Sequence, residues 1–158
     1  FFEGYKKIRQ NEINANILFE IPELFALLPD LNGKTILDMG CGFGEHCTKF
    51  VELGAVAVVG IDISKKMLEV AEAENGHPSI SYIYMPIEEI SKLHKKFDIV
   101  ISSLAMHYVE NYEAVVRDVY QLLKDGGIFV FSQEHPLTTC FLRRVTDGPK
   151  MKTGKSYI

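Results

Sequence analysis

The sequence of 158 residues has no apolar run of the roughly 18 residues that a membrane-spanning helix needs. Its beginning shows no positively charged segment followed by an apolar one, the pattern of a secretion signal. Internal repeats, linkers and low-complexity segments are also missing. These absences predict a single soluble, cytoplasmic domain with room for a hydrophobic core.

The sequence also has few cysteines and no excess of positive charge. The three cysteines, Cys41, Cys47 and Cys140, are odd in number and do not have the spacing of metal ligands. We therefore expect reduced thiols, no disulfide framework and no metal site. The net charge of −4 argues against general nucleic-acid binding, which needs a basic surface. Neither a nucleic-acid nor a membrane partner is expected, and the oligomeric state is left open.

Glycine is concentrated in the segment TILDMGCGFG, residues 35–44. An apolar run reaches Asp38 and then opens into a loop with glycine at every second position, at Gly40, Gly42 and Gly44. Glycine lets a ligand approach the backbone, and the amides at the start of the following helix are expected to point toward that ligand. The segment predicts a cofactor site.

Charge and spacing indicate which cofactor. A dinucleotide fingerprint reads G-x-G-x-x-G, but here the third glycine comes one residue early and Glu45 stands where it should be. Asp38 would be poorly placed beside a diphosphate, whereas it suits a cationic amine. S-adenosylmethionine has an ammonium group, a sulfonium and no phosphate, so it fits better than NAD.

A second apolar run, VAVVGID, ends at Asp62 about twenty residues further on. A carboxylate in that place is expected to accept hydrogen bonds from ribose hydroxyls. NAD and S-adenosylmethionine both carry a ribose, so Asp62 supports a nucleoside and does not choose between the two.

With these segments, the chain resembles the class I S-adenosylmethionine-dependent methyltransferases, in particular the small-molecule branch called methyltransferase type 11. The resemblance covers about residues 31–136 and rests on four segments in order: LDMGCGFG (37–44), GIDIS (60–64), FDIVISSLAMHY (97–108) and LLKDGG (122–127). It implies an enzyme that transfers a methyl group from S-adenosylmethionine to a small-molecule acceptor and releases S-adenosylhomocysteine. An NAD-dependent oxidoreductase and a non-catalytic S-adenosylmethionine-binding protein remain the alternatives.

The apolar pattern predicts a doubly wound α/β fold, with a mainly parallel sheet and helices on both faces. Helical segments are expected before residue 30, including one at 22–28. Helices are also expected up to Leu53, at 65–74 with Ser64 as its cap, and after Asn111. The predicted strands are 34–39, 56–62, 79–85, 97–103 and 128–133. Val115, Val119, Leu122 and Leu123 are expected to face the sheet, before a turn at Gly126 and Gly127.

Three regions follow from this pattern. Residues 1–30 form an N-terminal helical cover, residues 31–136 form the S-adenosylmethionine-binding core, and residues 137–158 form an irregular tail. Because the family's sheet has seven strands, we expect the last two to be lacking and the tail to begin a truncated C-terminal part.

The resemblance also implies the cofactor contacts. Asp38, Gly40, Cys41, Gly42 and Gly44 are expected near the methionine part of the cofactor, Asp62 at the ribose and Ile63 on the adenine. Pro86 stands where many members carry an acid that binds the adenine amine. Ile87 and Glu88 are the remaining candidates for that edge, although Glu88 could equally be a helix-start acid. Ser103 and Leu104, past the fourth strand, complete the set.

Methyl transfer is a displacement at an activated sulfonium, so the protein needs mainly to align the reactants. If the acceptor starts protonated, His107 is the best-placed general base, or it could pack against the cofactor instead. The candidate substrate-binding residues are Tyr5, Arg9, His107, Tyr108, Glu134 and His135. Tyr5 and Arg9 fall one helical turn apart and could form a lid, or simply belong to an exposed amphipathic helix.

Overall fold

The computed structural model describes residues 16–135. It has one parallel sheet in the order β3-β2-β1-β4-β5. The strands are β1 (Thr35–Met39), β2 (Ala57–Asp62), β3 (Ile80–Tyr84), β4 (Phe97–Ser102) and β5 (Leu123–Phe131). The strand order reverses between β1 and β4, which is where ligands bind in sheets of this kind. The predicted doubly wound α/β fold is confirmed.

Helices connect the strands and precede the first of them. A π-helical turn, Asn16–Glu20, leads into the first helix; the α-helices are α1 (Ile21–Ala26), α2 (Glu45–Glu52), α3 (Lys65–Glu74) and α4 (Tyr112–Leu122). Short 3-10 helices follow β3 at Ile87–Leu93 and β4 at Met106–Tyr108. Both predicted N-caps are present, since Ser64 accepts from the Met67 N–H and Asn111 accepts from the Ala114 N–H.

Alternate residues of each strand face opposite sides of the sheet, so the core has two halves. On β1, Ile36 packs with Leu24 and with Phe50 of α2, whereas the next residue, Leu37, packs with Val119 of α4. The side chains of the central strands β1, β2 and β4 are nearly all buried because helices cover both faces, whereas those of the edge strands β3 and β5 are half-buried or exposed.

The boundary before β5 differs from the prediction. Leu123 begins β5 instead of ending the helix, and the strand runs through Gly126 and Gly127 to Phe131. The pairing with β4 is irregular between the pairs Phe97–Leu123 and Ile99–Ile128, and Gly126 has a φ of +75°. The two glycines therefore form an irregularity inside the strand rather than the predicted turn.

Several expectations lie outside the described residues. They are the placement of Tyr5 and Arg9, the state of Cys140 and the irregular tail at 137–158. Within residues 16–135, no helix is long and apolar enough to span a bilayer.

Candidate cofactor and acceptor site

The carboxyl ends of the five strands meet at one edge of the sheet and bring the predicted site residues to it. Asp38 and the glycine loop lie at the end of β1, Asp62 and Ile63 at the end of β2, and Ile87 and Glu88 just after β3. The segment 103–108 follows β4, and residues 134–135 follow β5. The sheet therefore assembles every predicted site residue that the structure describes.

The glycine loop does not offer a row of N–H groups to a ligand. The N–H groups of Gly40 and Cys41 donate to the Ile61 carbonyl oxygen, that of Gly44 donates to the Cys41 carbonyl, and that of Gly42 donates to Asp62. These four N–H groups are therefore not free to bind a phosphate, whereas the expectation for the amides at the start of α2 stays a prediction.

The loop lets a ligand approach at Gly42. This residue has a φ of +56°, and a Cβ added to it would meet no atom within 4 Å. The backbone there faces open space, which a side chain would take from a ligand. Gly44, with a φ of +79°, is different because an added Cβ would collide with the Tyr82 side chain.

Tyr82 and Asn75 hold the far side of the loop. The Tyr82 hydroxyl donates to the Asn75 carbonyl oxygen at 2.9 Å, and the Asn75 side-chain amide donates to the Phe43 carbonyl oxygen at 2.8 Å. Burial raises the pKa of Tyr82, so the phenol stays protonated and able to donate. Sequence reasoning missed this support because Asn75 and Phe43 are 32 residues apart.

Asp62 joins the loop to the end of β2. Its Oδ2 accepts from the Gly42 N–H at 2.9 Å, and its Oδ1 accepts from the Ser64 N–H at 2.8 Å. Burial raises the pKa of Asp62, while the bonds from Ser64, Gly42 and Ile63 act in the opposite direction. A carboxylate has about four lone-pair directions, so both oxygens keep the capacity to accept from ribose hydroxyls.

Asp38 is almost completely buried within β1. The Cys47 thiol donates to its Oδ2 at 3.4 Å. The hydrogen bond with Cys41, together with burial, raises the pKa of Cys47 well above its usual range. A hydrogen bond from Cys47 favours the Cys41 thiolate, but burial and the charges of Asp38 and Asp62 outweigh it and raise the pKa of Cys41. Both cysteines are therefore neutral thiols, not nucleophiles.

The predicted adenine contacts lie on the accessible side of the same edge. Ile63, which follows the half-buried Asp62, is 68% exposed, so its side chain offers an apolar surface to a ligand. Ile87 is half-buried in the first turn of the 3-10 helix, and Glu88 next to it is exposed. The Met85 N–H donates to the Asp62 carbonyl oxygen at 3.1 Å, which holds this turn beside the end of β2.

The loop after β4 contains a strained residue. Leu104 has a φ of +51°, which is costly for a residue with a Cβ. Its N–H donates both to the carbonyl oxygen and to the Oγ of Ser132, and these bonds hold the conformation. The Ser103 hydroxyl donates to Glu20 Oε1 at 2.9 Å. The predicted pair thus anchors the helical segment before β1 and the end of β5 through Glu20 and Ser132, two residues that the sequence analysis did not name.

His107 and Glu134, predicted independently, lie together in the structure. The Glu134 N–H donates to His107 Nδ1 at 3.4 Å, and the His107 and Tyr108 rings are 4.2 Å apart. Burial lowers the pKa of His107, although the Glu134 charge acts in the opposite direction. The imidazole is therefore neutral at pH 7. With Nδ1 accepting, its proton is on Nε2, which becomes a hydrogen-bond donor. His135 is exposed.

Comparison with known proteins decides the family. Residues 37–131 match the family model described as "Methyltransferase domain". The chain belongs to this family. The predicted resemblance is confirmed, and the matched residues include the glycine loop and Asp62.

Two relatives extend the match beyond the core. The S-adenosylmethionine dependent methyltransferase from Mesorhizobium loti has 42% sequence identity and a TM-score of 0.70, over 80% of this chain and 56% of that one. An uncharacterized protein of Haemophilus influenzae is 42% identical over 146 residues, which are 89% of this chain and 58% of that protein. The chain thus spans somewhat more than half the length of these relatives.

A third relative matches only the core. The ubiquinone biosynthesis O-methyltransferase of Bradyrhizobium sp. is 39% identical over 104 residues, or 65% of this chain and 40% of that protein.

The Mesorhizobium relative is named as S-adenosylmethionine dependent, which is the cofactor that the sequence predicted for this chain. The residues present fit it. Gly42 leaves open space above the loop, the loop amides are used within the protein, and the Asp62 carboxylate has acceptor capacity for ribose hydroxyls. A phosphate-free nucleoside meets each of these conditions.

Proposed function

We propose that the whole protein is an S-adenosylmethionine-dependent methyltransferase that acts on a small-molecule acceptor. The observation that carries this proposal is the Asp62–Gly42 contact, because it holds the Asp62 carboxylate, which can accept hydrogen bonds from ribose hydroxyls, beside the open backbone of the glycine loop. The site belongs to a methyltransferase family, and its loop amides are not arranged for a diphosphate. An NAD-dependent oxidoreductase is therefore the weaker interpretation.

In this proposal the cofactor supplies a methyl group on a positively charged sulfur, and the chain's own residues align the reactants. Asp38 and the loop Gly40–Gly44 border the methionine part, Asp62 holds the ribose, and Ile63 packs against the adenine. Alignment of this kind contributes up to roughly 7–11 kcal/mol to lowering a barrier in favourable cases. No covalent nucleophile is needed, in agreement with the raised pKa values of Cys41 and Cys47.

A small-molecule acceptor is supported by the space beside the site. A cleft of about 450 Å³ lies between the helical segment 16–27 and the ends of β4 and β5. This volume is in the range of pockets for drug-sized ligands. The named activity of the Bradyrhizobium relative, O-methylation in ubiquinone biosynthesis, points the same way.

His107 is proposed to contact the acceptor as a hydrogen-bond donor through Nε2. The role of general base requires an unprotonated nitrogen facing the acceptor, whereas the contact from the Glu134 N–H places the ring's lone pair on Nδ1. The donor role fits this tautomer. Tyr108, 59% exposed, is proposed to line the same mouth, together with Glu134 and His135.

Two measurements on the full-length protein test the proposed function. S-adenosylhomocysteine should raise the melting temperature, and NAD at equal concentration should not. Release of S-adenosylhomocysteine should then be measured with a panel of hydroxyl, amine and thiol acceptors. A larger shift with NAD would reverse the assignment. Cofactor binding without turnover on any acceptor would favour a binding protein that does not catalyse.

The cytoplasmic location and the absence of nucleic-acid partners are part of the same proposal. The net charge of −4 argues against nucleic-acid partners, and the three cysteines, too few and odd in number for a disulfide framework, favour the cytoplasm.

A further inference from the structure

The cleft beside β4 and β5 has mostly apolar walls. The helical segment contributes Phe19, Leu24 and Leu27, and the sheet edge contributes Leu104 and Phe131. Such walls fit the apolar body of a small organic molecule. Five of the described lining residues are polar, namely Asn16, Glu20, Glu23, Ser132 and Gln133, and one of them has a distinctive environment.

That residue is Glu20, at the junction of the π-helical turn and α1. Its Oε1 accepts hydrogen bonds from the Ser103 hydroxyl at 2.9 Å and from the Ser132 hydroxyl. These two serines follow β4 and β5, so the carboxylate is held over the point where both strands end. Its position is fixed by contacts 83 and 112 residues away in the chain.

The second oxygen of Glu20 is left with acceptor capacity. Oε2 is buried and accepts no hydrogen bond from any described residue. A buried carboxylate oxygen without a donor is costly, and a bound molecule that supplies a donor removes the cost. A fixed side chain that lines a cleft and keeps one unsatisfied oxygen has the features of a ligand contact.

The charges of the residues that line the cleft indicate which ligand group would donate a hydrogen bond to Glu20. Among the described lining residues there is no lysine, arginine or histidine, while Glu23 adds a second carboxylate to Glu20. Two acids in an apolar cleft favour a cationic group over a neutral hydroxyl and disfavour an anion.

We propose that this cleft is the acceptor subsite and that the acceptor is a small molecule with an apolar body and a protonated amine. On binding, the Glu20 carboxylate shifts so that Oε2 reaches the cleft and accepts a hydrogen bond from the amine, and the apolar body packs against Leu104 and Phe131. This inference rests on the proposed function, since an acceptor site presupposes methyl transfer. The ammonium can lose a proton to water, and the free amine nitrogen then forms a bond to the methyl carbon as the bond from that carbon to sulfur breaks and S-adenosylhomocysteine leaves. Alternatively, the ammonium only anchors an acceptor that is methylated at another atom.

Three probes of one shape test the charge preference. They are 2-phenylethylamine, 2-phenylethanol and 3-phenylpropionate, measured by calorimetry at pH 7 on the full-length protein saturated with S-adenosylhomocysteine. We expect the wild-type protein to bind the amine about 10-fold more tightly than the alcohol, the scale of a charge-assisted hydrogen bond, and the carboxylate most weakly. Equal binding of amine and alcohol, or no amine binding at millimolar concentration, would overturn the inference without any variant.

The variant Glu20→Gln assigns the preference to this residue. Glutamine can still accept from Ser103 and Ser132 but lacks the charge, so the amine-to-alcohol ratio should fall to about 1. The matched control is Glu69→Gln, which removes the same charge from an exposed position on α3 that does not line the cleft, and it should change the ratio by less than about 3-fold.

Cofactor binding separates the remaining outcomes. The affinity for S-adenosylhomocysteine should be the same in Glu20→Gln and wild type. If Glu20→Gln binds S-adenosylhomocysteine more weakly but keeps the wild-type ratio of amine to alcohol affinity, Glu20 binds the cofactor's ammonium and the inference is wrong. If the wild-type protein binds no S-adenosylhomocysteine, the proposed function itself fails; if it binds the cofactor without preferring the amine, only the acceptor inference fails.

Discussion

The backbone N–H of Gly42 donates to Asp62 Oδ2 at 2.9 Å, across 20 residues of chain. This bond ties the glycine loop after β1 to the end of β2 and leaves the other face of Gly42 toward open space. One carboxylate therefore shapes the loop and is also proposed to border the cofactor. Substitutions at the two residues should have different effects, because only Asp62 supplies the charge.

Gly42→Ala should weaken binding of S-adenosylhomocysteine by about 10-fold or more. The new methyl group would occupy the space above the loop, and the φ of +56° adds roughly 1 kcal/mol of strain. Calorimetry measures the loss. Gly33→Ala is the matched control, because Gly33 has a φ of +75° and nothing within 4 Å of an added Cβ, but lies before β1, away from the loop. Equal affinities in the two variants would remove Gly42 from the site.

Asp62→Ala should weaken S-adenosylhomocysteine binding by about 1.5–3 kcal/mol, the scale of hydrogen bonds to a charged group. Part of the loss comes from releasing the Gly42 N–H. Asp30→Ala is the control, because Asp30 also accepts from the N–H two residues on, that of Asn32, but precedes β1 at the opposite edge of the sheet. An unchanged affinity in Asp62→Ala would rule out the ribose contact.

Asp98→Asn tests the electrostatics of the sheet rather than the site. The Lys124 ammonium at 2.7 Å and the Thr35 N–H and hydroxyl hold the pKa of Asp98 well below its usual range. Because the pKa of Asp98 is lower in the folded than in the unfolded protein, the carboxylate increases the free energy of unfolding. This contribution is fully present above the pKa of the unfolded state, near 3.9, and is lost as the pH falls through the pKa of the folded state.

At pH 7 the substitution should therefore cost about 1–2 kcal/mol of unfolding free energy, because the pair is partly screened by solvent. The difference from wild type should shrink below about pH 4. Chemical denaturation at both pH values measures it. Glu113→Gln, which breaks an exposed pair with Arg117, is expected to cost less than about 0.5 kcal/mol at either pH. A constant difference across pH would contradict the assignment.

The same residues explain why the sequence missed the start of β5. The helical pattern continues through Leu123 and the glycine pair favours a turn, so local signals place the strand at 128. In the structure, the Lys124 ammonium donates to the Asp98 carboxylate, and Leu123 lies opposite Phe97 in the pairing of β5 with β4. These contacts join residues 26 apart, and tertiary contacts of this kind override local propensity.

The site was partly predictable for a related reason. Asp38, Asp62 and the glycine loop are each visible in a short segment, because a strand end and the following loop are contiguous in sequence. Glu20 is not visible in this way. Its partners Ser103 and Ser132 come from two other strand ends, and no spacing rule connects an acid at a helix junction with them.

His107 is the last residue whose role the structure makes testable. If it donates through Nε2, His107→Gln should keep most of the turnover, within about 3-fold, because the glutamine amide can place an N–H near the same point. His107→Ala removes the donor and should lower turnover by about 10-fold or more. If His107 is instead a general base, Gln should be as damaging as Ala, by about 10²-fold.

The pH profile gives a second readout on the wild-type protein. Because burial lowers the pKa of His107, turnover under either role should be flat above about pH 6.5 and should fall only at lower pH, where the ring becomes protonated and the Glu134 N–H loses its acceptor. Cofactor affinity should be unchanged in both variants. Weaker S-adenosylhomocysteine binding, with unaltered turnover at saturation, would place His107 against the cofactor and leave methyl transfer in this protein to alignment alone.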